Sequence, residues 1–541
     1  MALTCSSCSR IGKGFGGFVQ GRADKAAYRI IASKQKEALG KASPFTLDFP
    51  GDEFTSGPLF NVPKVTPSVD IVTTPAVRIS LSDTLAIAIT RSREYQSRKE
   101  SLALQALSLT ETRRDFGVLW SASGSAELDR EESGHGTAAG AGTEWFGSRG
   151  FSVGAEKVLF TGARITADFT HSFAQTFGLN PTESATNNLS LGILQPLLNG
   201  AGPLVARESL RQAERNMIYA VRDFKRYQQS FVIGIASSYY SLLQSLDKLD
   251  NERKNYESAV SSREETQLRA EAGLLPLFST DQAMQRELEA EERYTDARAS
   301  YLSSLDRFKY DLGIPINLDV GPDPEDLRLI SERGLVQPGM NLPEAIELAL
   351  EDRYDLETVA DRLEDQRRKT KISLRDFLPN LDFSYNYSTT ESFDKPRAEV
   401  HFRDNSQSWS LDLGLPTDWT VRRNNYRSAL IELNQAEREL EAKRDSVVLE
   451  VIDSWRELER TRKSYEIQAR SVRLSERSVE RFQMLLATGD ATTRDLLDAQ
   501  DNLLNARNQL TSTLVSYTIE RLRFYDAVEQ LEIDPKGMWY E

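Results

Sequence analysis

Cysteine and histidine are scarce in this chain: its 541 residues include two cysteines and three histidines. Two cysteines are too few for a disulfide framework, and three histidines are too few for an evident metal site. The sequence also has no Gly-rich phosphate loop in a strand–helix context and no motif for a catalytic nucleophile. We therefore predict no metal, no cofactor and no enzymatic activity.

Long apolar segments are also missing. No run of about 18 apolar residues occurs, so we predict no membrane-spanning helix. The absence of such runs does not exclude a β-barrel, because the strands of a barrel are apolar only at alternate positions. Charged residues make up 27% of the chain with a net charge of −14, and both signs alternate along it. This pattern is typical of solvated helix faces and argues against a nucleic-acid partner.

Glycine and proline are absent from two long stretches, residues 424–488 and 490–534. A helix as long as the first stretch spans roughly 100 Å at the usual rise per residue. Glycine between two such stretches favours a turn, since it adopts the left-handed conformation that ends many helices. We predict a long antiparallel helical hairpin whose tip is the turn at Thr488, Gly489 and Asp490.

Apolar residues recur at steps of seven along the first of these stretches. Such a repeat predicts supercoiled packing against neighbouring helices rather than burial in a round core. Hairpins of this length cannot bury their apolar stripes within one chain, so other copies are expected to cover them. The positions form two series, the first of Leu433, Leu440 and Val447 and the second of Val451, Leu458, Tyr465, Val472, Val479 and Leu486.

The chain contains one structural plan twice. Residues 81–89 match residues 342–350, and each segment opens a helix with an acidic first turn. Residues 230–239 align with residues 446–455, and the same offset places Gly273 on Gly489. We divide the chain into a tail and strap (1–77), a first repeat (78–339; strands about 117–196, helical hairpin about 203–313) and a second repeat (340–541; strands about 380–416, helical hairpin about 424–534).

Each repeat contains alternating strand sequence between its first helix and its helical hairpin. The first repeat is longer here and carries an additional strand pair over residues 151–173, with a short turn at Thr161, Gly162 and Ala163. Longer loops are predicted on either side, at residues 130–149 and 174–187. Short turns at one end and long loops at the other are typical of an outer-membrane barrel, although a soluble sandwich shows the same alternation.

The N-terminal tail carries Cys5 and Cys8 without a long apolar signal segment before them. One interpretation is a pair of accessible thiols in a tail. The other is a lipidated first residue of a mature bacterial lipoprotein, with Ser6 and Ser7 as the small residues before Cys8. Residues 23–39 look helical, and residues 40–77 read as an extended strap.

Three local sequences mark corresponding points of the plan: residues 195–202 after a strand, 377–381 before a strand, and 487–500 at the second helix tip. With the duplicated order of elements, they make the chain resemble the outer membrane factors of the TolC family over roughly residues 78–535. The resemblance implies a mostly α fold with a transmembrane β region, a trimeric β-barrel and a periplasmic α-barrel.

The resemblance also implies a function. The protein is expected to be a passive homotrimeric exit duct in the bacterial outer membrane, reaching into the periplasm. It would serve a periplasmic adaptor and an inner-membrane transporter, in a tripartite efflux pump or a type I secretion system, and move small molecules or proteins out. Because open strand edges are not tolerated in lipid, strands pooled from several copies are needed to close a barrel. The rival is an elongated coiled-coil protein with a small β-domain and no conduit.

By the same resemblance, Asp495 and Asp498 line the constriction at the periplasmic tip, where six carboxylates of a trimer would repel one another and hold cations. The alternative is an ordinary solvated helix face. The basic residue and the tyrosine of the family's pattern are replaced by Ala491 and Leu486, and Arg494 is the nearest basic residue.

The same comparison makes Gly273, Leu274, Leu275 and Gly489 the tips that contact the adaptor. These glycines also serve simply to turn the chain between two helices.

The additional strand pair gives six predicted strands in each chain, against four in the family. Six strands in each of three copies would make an eighteen-stranded barrel, which is wider because diameter grows with strand number. The alternative is a twelve-stranded barrel from which this hairpin projects outside the cell. The sequence slightly favours the wider barrel, with the Thr161–Gly162 turn in the periplasm.

Overall fold

The computed structural model describes residues 6–47, 75, 77–132, 143–177, 182–273, 275–393, 405–488, 490–534 and 537–539. The helices are α1 (Ser6–Leu39), α2 (Leu81–Arg91), α3 (Arg93–Asp115), α4 (Pro203–Ala206), α5 (Glu208–Glu271), α6 (Phe278–Leu312), α7 (Pro324–Arg333), α8 (Leu342–Asp352), α9 (Tyr354–Arg375), α10 (Thr420–Thr488) and α11 (Thr493–Ala527). The strands are β1 (Val77–Ile79), β2 (Val118–Glu132), β3 (Thr143–Val158), β4 (Arg164–Phe177), β5 (Glu183–Pro196), β6 (Val320–Pro322), β7 (Asn380–Phe393) and β8 (Asn405–Gly414).

The chain divides into two compact units, and each takes segments from both repeats. The sheet unit consists of residues 1–42, 103–221 and 359–440, and the helical unit of residues 43–102, 222–358 and 441–541. The division into two repeats remains a sequence-based prediction.

The helix that opens each repeat is interrupted at one residue. Both begin with a capping box, Ser80 with Asp83 and Asn341 with Glu344, as the acidic first turns suggest. At Ser92 and at Arg353 the backbone is extended for one residue, so the predicted single helix is a pair in each repeat, α2 with α3 and α8 with α9.

The six long strands form one antiparallel sheet in the order β2-β3-β4-β5-β7-β8. All the predicted strand segments are therefore confirmed. The predicted loops at residues 130–149 and 174–187 are wrong over much of their length, because β2 reaches Glu132, β3 begins at Thr143, β4 reaches Phe177 and β5 begins at Glu183. Backbone pairing continues beyond the apolar part of each strand, where side-chain alternation no longer marks it.

The two faces of this sheet differ in polarity. Directly paired residues share a face, and one face carries mainly aromatic and aliphatic side chains. The other face carries mainly serine, threonine and asparagine. The apolar face includes Trp120, Val153, Phe169, Leu191, Ile193, Tyr385, Trp409 and Leu411, and the polar face includes Ser121, Ser152, Thr170, Ser190, Ser388 and Ser408.

The helical unit has a contiguous apolar core contributed by α2, α5, α6 and α11. The short strands β1 and β6 pair in parallel within this unit. The sequence analysis missed this pair, because three residues are too few to show a period. Of the heptad positions, Val447, Val451 and Leu458 are buried. The expectation that one chain cannot cover the stripe is therefore wrong over its middle, where side chains of the same chain cover it. The heptad positions toward both ends of α10 are half-buried.

The two long helical pairs appear where they are predicted. The first consists of α5 and α6, and the second of α10 and α11. Helix α11 ends at Ala527 rather than near residue 534, because Glu529 adopts a left-handed backbone conformation with φ 61°. The amide of Gln530 donates to the carbonyl of Tyr525 and closes the helix end.

The N-terminal helix α1 is longer than residues 23–39. Cys8 lies within it, and Cys5 lies outside the described residues, so lipidation stays a prediction. Most of the predicted strap also lies outside them. In the described part of the chain, no helix is long and apolar enough to cross a membrane. The same residues contain no group of three or more His, Cys, Asp or Glu side chains placed to hold a metal.

Candidate functional site

The tip of the second helical pair is built by hydrogen bonds at two helix ends. At the end of α10, the hydroxyl of Thr488 donates to the Asp490 carboxylate at 2.8 Å, and the amide of Asp490 donates to the carbonyl of Leu485 at 2.8 Å. Helix α11 then begins after Thr492. Gly489 lies outside the described residues, so its role at the tip stays a prediction.

Asp495 belongs to a capping box at the start of α11. Its carboxylate accepts a hydrogen bond from the backbone amide of Thr492 at 2.9 Å, and its own amide donates to the Thr492 hydroxyl at 3.3 Å. The hydrogen bonds from the Thr492 side chain and then its backbone lower the pKa of Asp495. The exposed carboxylate is therefore held in place and kept ionised.

Asp498 lies one turn further along α11 and is paired within the chain. Its carboxylate is 3.1 Å from a guanidinium nitrogen of Arg286 on α6, and the same nitrogen is 2.5 Å from Asp501. Arg494 approaches Asp498 only to 4.0 Å. Arg286 therefore bridges two carboxylates of α11.

Sequence reasoning missed Arg286 and Asp501. Under the repeat offset, Asp498 and Asp501 correspond to Gln282 and Gln285. The charges are thus present in only one copy, and this divergence between the repeats is the signal that could have indicated a contact between them.

Further contacts join the helices of the same unit above the tip. The Arg293 guanidinium is 3.4 Å from Asp501 and 3.7 Å from Glu252 on α5. Asn251 and Asn508 are hydrogen-bonded at 2.8 Å. Burial raises the pKa of Glu252, whereas Arg293 opposes this shift. Helices α5, α6 and α11 are therefore held together by polar side chains here.

The tip of the first helical pair is apolar and exposed. Gly273 has φ 75°, a left-handed conformation that only glycine adopts readily. Leu275 is half-buried, and Leu274 lies outside the described residues. The structure adds two residues that sequence reasoning missed, Leu277 at 78% exposure and Phe278 at 59%. The two tips therefore differ, the first being apolar and the second acidic.

The sheet unit supplies a second functional surface. Its apolar face is open to the surroundings, with Trp120 70%, Trp409 67% and Leu411 63% exposed. Large exposed apolar patches mark surfaces that meet another protein or a membrane. Both edge strands, β2 and β8, have one side without a strand partner in the described part of the chain.

Comparison with known proteins assigns this arrangement to a class. The model of the outer membrane efflux protein family matches residues 345–528. No curated protein matches the chain by sequence.

Three solved structures are similar in fold. The crystal structure of CusC has a TM-score of 0.61 at 13% identity, covering 86% of this chain and 96% of that one. The Campylobacter jejuni CmeC outer membrane channel has a TM-score of 0.60 at 14% identity, with coverages of 87% and 93%. The open state of the Neisseria gonorrhoeae MtrE outer membrane channel has a TM-score of 0.59 at 14% identity, with coverages of 86% and 97%.

The fold is therefore that of outer-membrane channels. Residues 345–528 carry an outer membrane efflux protein domain, which confirms the resemblance to the TolC family. The mostly α fold with an antiparallel β-sheet and the location in the outer membrane are confirmed with it, and the similar proteins are channels rather than enzymes. The trimeric barrel remains a prediction.

Proposed function

We propose that three copies of this chain form a passive exit duct of the outer membrane, fed by a periplasmic adaptor and an inner-membrane transporter. The observation that carries the proposal is the six-stranded sheet, which has one apolar face, one polar face and two free edges. A free edge cannot face lipid, so the edges must pair with other copies. The apolar face would then meet lipid, and the polar face would line the conduit.

The long helices support the same assembly. Leu449, Ile467, Leu474 and Met484 on α10 are all more than half exposed. A second or third copy can cover these side chains by packing its own helices against them. The rival coiled-coil protein is not favoured, because it explains neither the efflux-protein match nor the exposed apolar face of the sheet.

The assembly is tested by fractionation and mass measurement. The protein should separate with outer membranes, and the particle extracted in detergent should have the mass of three protomers, a three-fold axis and a central tunnel. A fully helical monomer that stays soluble without detergent would contradict the proposal.

We further propose that Asp495 and Asp498 line the constriction at the tip. Both carboxylates are exposed and lie three residues apart on α11, so three copies would bring six of them together. We also propose that the apolar surface at the first tip contacts the adaptor together with Gly489. This surface consists of Gly273, Leu274, Leu275, Leu277 and Phe278.

Changing Asp495 and Asp498 together to Asn should raise single-channel conductance in lipid bilayers and weaken block by multivalent cations. Asn removes the charge but keeps an oxygen to accept the hydrogen bonds of the cap, so helix α11 should persist. The matched control changes Glu325 and Glu332 to Gln, two exposed carboxylates on the short helix α7. Equal conductance and equal block in the two double variants would contradict the constriction role and indicate that Asp495 and Asp498 lie on an ordinary solvated helix face.

A further inference from the structure

The β3–β4 hairpin is an integral part of the sheet. Strand β3 pairs with β2 from Thr143 to Lys157, and β4 pairs with β5 from Arg164 to Gln175. The hairpin therefore lies between β2 and β5 and has a paired neighbour on each side along almost its whole length. A hairpin that projected from the sheet would leave β2 and β5 to pair with each other.

The turn of this hairpin lies at the end of the sheet where the long helix of the first repeat begins. The amide of Gly202 donates to the carbonyl of Thr161 at 2.9 Å, and the Thr161 hydroxyl donates to the side-chain oxygen of Gln195 at 3.0 Å. The guanidinium of Arg207 lies 4.6 Å from the ring centre of Phe160. The turn thus packs on the segment that connects β5 with α5.

The hairpin also continues both faces of the sheet. Val153 pairs with Phe169, which pairs with Leu189, so all three lie on the apolar face. Ser152 pairs with Thr170, which pairs with Asn188, and these lie on the polar face. Phe151 and Val153 are 44% and 41% exposed, so the apolar face of β3 is as open as that of β5, where Leu191 and Ile193 are 43% and 40% exposed.

We propose that the β3–β4 hairpin forms part of the membrane wall, so that each chain contributes six strands and three copies close an eighteen-stranded barrel. Strand β8 of one copy pairs with β2 of the next. This inference rests on the proposed trimeric duct. A barrel of eighteen strands is about 1.5 times as wide as one of twelve, because diameter grows roughly linearly with strand number. The exit therefore admits wider hydrophilic cargo than the twelve-stranded barrel of the family resemblance.

Two neighbouring substitutions in β4 test the position of the hairpin. In Phe169→Arg a charge replaces an apolar side chain on the proposed lipid face, whereas Thr170→Arg places the same charge on the proposed lumen face. A charge facing the middle of a bilayer is strongly unfavourable, but one in a water-filled lumen is tolerated. We expect Phe169→Arg to reduce the amount of trimer in the outer membrane at least about fivefold and Thr170→Arg to leave it within about twofold. Equal amounts for the two variants would overturn the inference.

A cysteine probe gives a second reading that does not depend on folding of the charged variants. Gly162 is a poor site, because its φ is 89° and a Cβ there would lie 2.8 Å from the carbonyl oxygen of Gly200. Thr161→Cys is preferable, since Thr161 is exposed and similar in size. An impermeant thiol reagent attached to a polymer too large to enter the barrel should label this variant only after the outer membrane is permeabilised, with the unmodified chain giving the baseline from its own two cysteines.

The outcomes separate the inference from the proposed function. Labelling on intact cells, in a protein that still forms a trimeric channel, would overturn the eighteen-stranded wall and leave the duct in place. Absence of any trimer from the unmodified protein would overturn the proposed function and the inference together.

Discussion

Replacing Arg353 with Met is expected to lower the free energy of unfolding by about 3 kcal/mol, because removing one partner of a buried ion pair leaves polar groups unsatisfied. The Arg353 side chain is 1% exposed. It donates two hydrogen bonds to Asp355, at 3.0 and 2.8 Å, and one to the carbonyl of Ala527 at 3.2 Å, and it pairs with Glu450 at 2.8 Å. This one residue therefore joins α9, α10 and α11 at the break after α8.

Asp355 shows how strongly the surrounding cations act. Burial raises the pKa of this carboxyl, but hydrogen bonds from Arg353 and Lys443 and the charge of Arg226 outweigh burial and leave the pKa well below its usual range. Without Arg353, Lys443 and Arg226 keep Asp355 ionised. The lost free energy of unfolding then comes from the hydrogen bond to the carbonyl of Ala527 and from the two hydrogen bonds to Asp355, which Met cannot make.

The matched control for this prediction is Arg328→Met. Arg328 is 59% exposed and pairs with Glu325 and Glu332 on the surface of α7, where ion pairs contribute little to stability. The measurement is denaturant unfolding of the detergent-extracted protein, followed by helical circular dichroism. Arg353→Lys should give an intermediate loss, since lysine keeps the charge without the planar fork. Similar stabilities for Arg353→Met and Arg328→Met would show that the buried cluster does not hold the helices together.

The sequence predicts well the features that repeat along one element. Alternation at Leu381, Phe383, Tyr385 and Tyr387 correctly places these side chains on one face of β7. The seven-residue step correctly marks Val447, Val451 and Leu458 as buried. Both patterns are local, so they hold whatever neighbours the fold supplies.

Contacts between distant elements could not be predicted in the same way. Arg286 meets Asp498 across 212 positions of sequence, and Arg353 meets Ala527 across 174. Neither pair has a period or a motif, and both depend on how helices that are distant in the sequence pack. The capping role of Asp495 was open to prediction, since Thr492 followed three residues later by an acidic residue is the pattern of a capping box.

Glu529→Gln is expected to stabilise the protein at about pH 8 by on the order of 3 kcal/mol and to have little effect at about pH 5. Glu529 follows α11, and its side chain is 2% exposed. The side chain of Gln229 on α5 interacts with the carboxylate and lowers its pKa, but by less than burial raises it. Its nearest cation is Arg226 on α5, with 3.6 Å between the guanidinium and the carboxylate.

The pKa of Glu529 sets the direction of this effect. Burial raises the pKa from 4.5 to about 7; Arg226 lowers it, and the charges of Asp526 on α11 and Asp355 on α9 raise it. Between these two values the folded protein holds a proton that the unfolded chain has lost. Stability from this group is therefore complete below pH 4.5 and is lost as the pH rises through about 7. Glutamine is neutral at every pH and removes this loss. The lowered pKa of Asp355 acts in the opposite direction, but only below pH 3.8.

The measurement is the thermal unfolding midpoint of the detergent-extracted protein and of its Glu529→Gln variant at the two pH values. Glu480→Gln is the control, because it removes one carboxylate from an exposed position on α10 and should change neither midpoint. Asp526, whose pKa burial also raises, is retained in all three proteins, and because its charge interacts with Glu529 the measured effect belongs to this pair of carboxyls. A Glu529→Gln midpoint that exceeds the parent by the same amount at both pH values would show that the buried carboxyl does not titrate in this range. A higher midpoint at about pH 8 alone would identify Glu529 as a group that makes the helical unit less stable in its ionised form.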